Sequence, residues 1–150
     1  SPDGGEVVYN DKIEAAQPLQ MYPRVGRRAP LHCTALGKTL AAWEPEEWVD
    51  RFRRRRMRAY TSATLTEPAD LRRELAKVRT ARYALDVEEF ALGLKCIAAP
   101  LCDHSRRVVA SLGIAGPAVR LSNERLSRLA SLVRETAANA SRALGGELPS

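Results

Sequence analysis

Apolar and polar residues follow a strand or a helical period along most of the chain, and the period changes at turn-forming residues. Residues 6–13 (Glu-Val-Val-Tyr-Asn-Asp-Lys-Ile) are β-branched and aromatic, then partly alternating, which predicts a strand. After a break at Gln17-Pro18, residues 19–22 predict a second strand pairing back on the first, and residues 24–29 a basic loop containing Gly26. Thr34 offers an N-cap to a helix over 35–43. Pro45 begins a second short helix, with Glu46 and Glu47 in its first turn and Trp48 and Phe52 one turn apart. Residues 60–63 read as extended or irregular. Thr66-Glu67-Pro68 opens a third helix with the apolar stripe Leu71, Leu75 and Val78. Tyr83-Ala84-Leu85 predicts a short strand. The apolar runs 96–101 and 108–114 flank the polar Asp103-His104-Ser105-Arg106, the pattern of a hairpin. Ser122 caps a last helix whose stripe is Leu126, Leu129, Ala130, Val133, Ala137, Ala140 and Leu144, stopped by Gly145-Gly146. There is no internal repeat. Interspersed helices and hairpin-linked strands predict an α+β fold, a mainly antiparallel sheet flanked by helices.

Length and composition narrow this further. A chain of 150 residues, 45% of them hydrophobic, fits one domain with a core of its own. Residues 1–5 are a polar, Gly-rich linker end, and the domain is expected over 6–146. No apolar run reaches the roughly 18–20 residues of a membrane span, and no leader pattern opens the chain, so no membrane association or export is expected. Cys33, Cys96 and Cys102 are odd in number and form no C-x-x-C pair. That favours free thiols in a reducing cytoplasm over disulfides or structural zinc. No spaced His, Cys and Asp set predicts a metal site or a cofactor. The net charge of +6 is local: residues 51–58 hold six arginines and no acid, so the rest of the chain sums to 6 − 6 = 0. Such a run reads first as a solvated face with its stems on apolar surface. A phosphate-contacting patch, which would make the chain a nucleic-acid binder, and a partner surface are the alternatives.

The candidate chemistry lies just ahead of the hairpin. Asp86, Glu88 and Glu89 lead through Gly93 into residues 96–101. A carboxylate beside apolar strands is costly to bury unless something satisfies it, and Ala98, Ala99, Gly113 and Ala115 are small enough to leave space over a sheet. The plainer readings are that Asp86 ties down the loop, that Cys96 is a small buried hydrophobe, and that Glu88 and Glu89 face solvent. His32 beside Cys33 evokes a base and a nucleophile, yet neighbours on an extended chain point to opposite faces. His104 belongs to a solvated turn. A small cysteine-dependent enzyme using Cys96 or Cys33 is the alternative from another class.

The strings D-V-E-E-F-A-L-G-L-K-C-I-A-A-P-L-C-D (86–103), A-S-L-G-I-A-G-P-A-V-R-L (110–121) and P-L-H-C-T-A-L-G-K-T-L-A-A (30–42) resemble the effector-binding domain of IclR-type bacterial transcription factors. With the order of elements, the resemblance runs from about residue 5 to 145. It implies an antiparallel sheet flanked by helices, related to GAF and PAS-like sensor folds, and no enzymatic activity. It implies a small organic-acid effector, self-association as a dimer or tetramer, and DNA contact only through an N-terminal winged helix-turn-helix domain that has no counterpart here. By motif position the pocket would hold Ala35, Leu36 and Gly37 at the helix turn and Asp86, Leu94 and Cys96 from the central segment. Gly113 and Ala115 would complete it on the last strand, with Met21 as an apolar wall. Members of the family that sense small keto or hydroxy acids carry serines where this chain has Gly113 and Ala115, and Gly-Ala where it has Ala35-Leu36. The resemblance therefore implies a larger or less polar acid, aromatic or branched.

Overall fold

The computed structural model describes residues 5–14, 24–53 and 57–147, and the side chains of all of these except 51–53. β1 (Glu6–Val8) and β2 (Arg28–Pro30) pair antiparallel, with Val7 opposite Ala29. Tyr9 N–H continues the pairing to Arg27 O at 3.0 Å. β2 lies where the sequence predicts a basic loop. Only Ala29 of its three residues is buried, so it has no apolar alternation to reveal it. The strand expected over 19–22, with Met21, lies outside the described residues.

Thr34 caps α1 (Ala35–Ala41): its Oγ1 accepts from Gly37 N–H at 3.1 Å and donates to Pro30 O at 2.7 Å, tying the helix to the end of β2. α2 (Glu46–Arg53) packs on α3 (Pro68–Ala81), which buries Leu71, Leu75 and Val78 as its periodicity predicts. The second sheet is antiparallel in the order β3 (Ala84–Val87), β4 (Leu94–Cys102), β5 (Val108–Pro117). Its register sets residues in rows: Asp86, Cys96 and Ala115 form one, Ala84, Ala98 and Gly113 the next.

α1 covers the face of the sheet that carries these rows, and α4 (Asn123–Ala143) covers the other. Alternate β4 residues divide accordingly. Ile97 and Ala99 pack on Ala130, Val133 and Ala137 of α4, each large side chain so buried contributing about 1.5–3 kcal/mol. Ser122 Oγ accepts from Arg125 N–H at 3.2 Å at the start of α4. At its end Gly145 takes φ 73°, and Gly146 N–H returns to Ser141 O at 2.8 Å. Ser141 also clamps α4 to the sheet, its Oγ accepting from Cys102 N–H at 3.0 Å beside a shift of strand register. The fold is α+β. Among the described residues no helix is long and apolar enough to cross a membrane.

Candidate functional site

Asp86 stands near the end of β3, where the chain leaves the sheet, and is 1% exposed. Its Oδ1 accepts from Glu89 N–H at 2.8 Å and Phe90 N–H at 3.4 Å, so it does tie down the loop that follows. That loop is held at several further points. Glu88 takes the left-handed φ of 56°, and its side chain accepts from Gly93 N–H at 2.7 Å. Thr61 Oγ1 donates to Glu88 O and Thr64 Oγ1 to Glu89 O, each at 2.6 Å. Thr64 Oγ1 in turn accepts from Thr61 N–H at 2.9 Å, so the turn over 60–64 works as a strap. Tyr60 carries the strap's aromatic contacts, its ring 5.1 Å from Phe90 and 6.1 Å from His32, with the Arg58 guanidinium 5.0 Å above it.

Glu89 is not the solvent-facing loop acid that the sequence suggests. Its side chain is 14% exposed, and Oε1 accepts from Lys38 Nζ at 2.8 Å. Lys38 is wholly buried and also donates to Glu74 Oε1 at 3.0 Å, so one ammonium joins α1, α3 and the loop after β3. Glu89 Oε2 is buried with no hydrogen-bond partner among the described residues.

Burial dominates the electrostatics here. It raises Asp86 to about 6, against the opposing pull of the Glu89 N–H and Lys38. It raises Glu89 to about 7, with Lys38 opposing and the charges of Asp86 and Glu74 adding. Cys33 and Cys96 are each pushed up to about 12 by burial and then by the Asp86 and Glu89 charges. Tyr9 rises to about 12 by burial, with Cys96, Asp86 and Cys33 adding. Five groups from four parts of the chain thus border one locus.

This chemistry does not suit a nucleophile. A thiol with a value near 12 holds almost no thiolate at neutral pH. His32 and Cys33 are both buried, in bends rather than an extended strand. His32 Nε2–H donates to Arg58 O at 3.0 Å, and burial holds the ring below its ordinary value, so it is a neutral structural donor. Among the described residues no group of three or more His, Cys, Asp or Glu could hold a metal ion.

The other residues of the expected pocket are placed as follows. Cys96 and Ala115 share the row of Asp86, and Leu94 lies two residues before Cys96 on the same face. Gly113 lies one row on and is exposed, with Leu36 close beside it: a Cβ there would stand 3.2 Å from Leu36 Cδ2 and only 2.6 Å from Ile97 O. Ser111 Oγ donates to Leu36 O at 3.1 Å, fixing α1 to β5. Ala35 is buried. Gly37 has no room for a side chain, since a Cβ would lie 2.5 Å from Leu31 Cα, and its N–H is taken by Thr34. Met21 is outside the described residues. Two grooves, of about 370 and 140 Å³, lie on the α4 face of the sheet, and none of Asp86, Cys96 or Gly113 lines either.

Lys38, Glu74, Thr61, Thr64 and Tyr9 complete the locus and are not evident from the sequence. The available signal is Lys38, the single charge within residues 35–43.

Fold and site together define an α+β domain with a buried acidic locus under one helix and, among the described residues, no activated nucleophile. Comparison with known proteins gives the family: the model described as "Bacterial transcriptional regulator IclR C-terminal" matches residues 2–142, and the chain belongs to that family. It is 34% identical over 142 residues to the transcriptional repressor IclR of Escherichia coli K12, covering 94% of this chain and 52% of that protein. It is 37% identical over 144 residues to the regulator XynR of the same organism, covering 95% and 57%. The Thermotoga maritima IclR crystal structure superposes with TM-score 0.87 at 36% identity, covering 95% of this chain and 58% of that one. The C-terminal domain of Escherichia coli KdgR gives 0.81 at 35%, covering 97% and 84%. The chain spans about half the length of the curated relatives it matches. Those relatives are named as transcriptional regulators and repressors, not enzymes.

Proposed function

We propose that residues 6–146 form the ligand-sensing and self-associating domain of an IclR-type transcriptional regulator. A small organic acid would bind on the Asp86 face of the sheet and modulate DNA binding by a winged helix-turn-helix domain elsewhere in the full-length protein. The observation that carries this reading is Asp86 itself, buried beneath α1 in one row with Cys96 and the small Ala115. A buried carboxylate with a perturbed value is the kind of group that recognition sites use, and burial raises this one to about 6. Ala115, exposed on β5, is the opening of this row.

In this reading the acid's carboxylate meets the first turn of α1. Among the described residues, the N–H groups of Ala35 and Leu36 have no acceptor there, whereas that of Gly37 is taken. Leu36 must then move off Gly113, which makes it the residue that sets the size of the ligand. The acid is larger or less polar than a two- or three-carbon keto acid, because Ala115 offers no hydroxyl. Self-association is the second part of the proposal.

The test is a thermal-shift screen of glyoxylate, pyruvate, branched-chain acids and aromatic acids. A ligand that binds only the folded state raises Tm by mass action. An aromatic or branched acid raising Tm more than pyruvate supports the reading, and tighter binding of glyoxylate or pyruvate than of every larger acid refutes it.

A further inference from the structure

One cation contacts two carboxylates in the interior of this site, and a third stands beside them. Lys38 Nζ is divided between Glu74 Oε1 and Glu89 Oε1, and Asp86 stands beside Glu89, its Oδ1 holding the N–H of Glu89 itself. The two acids are unequally provided. Asp86 has two backbone N–H donors, the arrangement that suits an anion. Glu89 has a share of one ammonium at Oε1 and nothing at Oε2, which is buried. An anionic oxygen in that position is shielded from solvent and has no protein donor among the described residues, and a proton on it removes the cost. A protonated carboxyl is also a hydrogen-bond donor, which a carboxylate is not.

We propose, resting on the organic-acid reading above, that Glu89 is the specificity-determining donor of the effector site. It is a neutral carboxyl whose Oε2–H is offered to an oxygen of the effector. This resolves a conflict of charge. Lys38 already faces Glu74 and Glu89, so its single positive charge is outnumbered before any effector arrives. An acid entering as its anion next to ionised Asp86 and Glu89 would meet two like charges; a protonated Glu89 removes one and supplies a donor. The groups that face Glu89 set its state from each packed element: Lys38 on α1 draws the proton off, while Asp86 on β3 and Glu74 on α3 hold it on. Cys33 ahead of α1 and Cys96 on β4 remain thiols there.

The experiment is a pH titration of the chain labelled with ¹³C at its Glu and Asp carboxyls, followed by NMR. One Glu carboxyl is expected to titrate near 7 and to be missing from the spectrum of Glu89→Gln. Should that variant fail to fold, through-bond assignment of Glu89 in the unmodified chain gives the same reading. A Glu89 carboxyl titrating in the ordinary range near ~4.3 overturns the proposal. Benzoate and pyruvate serve as probes by calorimetry. Binding of either is expected to weaken roughly tenfold per pH unit above 7 in the unmodified chain, as one linked proton requires. Above pH 7, where Asp86 is already ionised, it should be independent of pH in Glu89→Gln, whose amide keeps the donor. Equal affinity at pH 6 and pH 8 in the unmodified chain overturns the donor role. A carboxyl titrating near 7 in a chain that no acid stabilises would uphold the proton on Glu89 and count against the organic-acid reading instead.

Discussion

At the scale of single residues, Lys38 is the structural centre of the site. Removing one partner of a buried ion pair leaves the others uncompensated, at a cost of about 3–5 kcal/mol. Lys38→Met is therefore expected to destabilise the domain by that order in urea unfolding at pH 8, where Glu89 is ionised. Adding Glu89→Gln to it should recover part of the loss, because the remaining Glu74 is 25% exposed and can be hydrated. Equal stability of Lys38→Met and the unmodified chain would show that the ammonium is not bound as described. The sequence places Lys38 on a helix and Glu89 in a loop but does not join them. The pair is separated by 51 positions, and only the packing of α1 over the end of β3 brings it together. The sequence singles out Asp86 and Cys96 only through the motif, and it does not show the burial of Glu89, because an acid in a loop has no pattern that marks it as covered.

At the scale of elements, two glycines stand where the neighbouring backbone leaves no room for a side chain. A side chain at Gly113 meets the Ile97 carbonyl oxygen and one at Gly37 the Leu31 backbone, neither of which can move aside cheaply. Gly113→Ser is thus expected to cost about 1–3 kcal/mol in denaturant unfolding, whereas Ala115→Ser, on an open position, should cost less than about 0.5 kcal/mol. Ala115→Ser alone is the clean way to add a hydroxyl to the site and shift preference toward smaller acids, read as the relative Tm increase with pyruvate. Where an element buries a regular stripe, the sequence announces it: Leu71, Leu75 and Val78 of α3 and the caps Thr34 and Ser122 stand where periodicity and capping place them. Where burial is one residue deep, as at Ala29 in β2, or comes from a strap of threonine hydroxyls, as at 60–64, there is no period to read.

At the scale of the whole molecule, the two raised carboxyls make stability depend on pH in a definite direction. Asp86 moves from 3.8 to about 6 and Glu89 from 4.5 to about 7 on folding, so the native state holds both protons more tightly than the unfolded chain. Their contribution favours folding at low pH and is lost as pH rises through that window, from about 4 to about 7. The difference in unfolding free energy between the unmodified chain and Glu89→Gln, followed by urea titration, should therefore fall with rising pH and level off above neutrality. A difference independent of pH would contradict the burial described. Self-association is checked by sedimentation at tens of micromolar, a range suited to the ~μM affinities of modest interfaces: dimer or tetramer is expected, and monomer alone would remove that part of the proposal. The central claim is that the Asp86 face receives an acid effector, and calorimetry with 4-hydroxyphenylacetate and phenylacetate tests it most directly. Asp86→Ala should weaken the hydroxylated acid by about 1.5–3 kcal/mol, the worth of a hydrogen bond to a charged group, and the deoxy acid by much less. Equal weakening of the two, or binding of both untouched by the substitution, would place the effector somewhere other than Asp86.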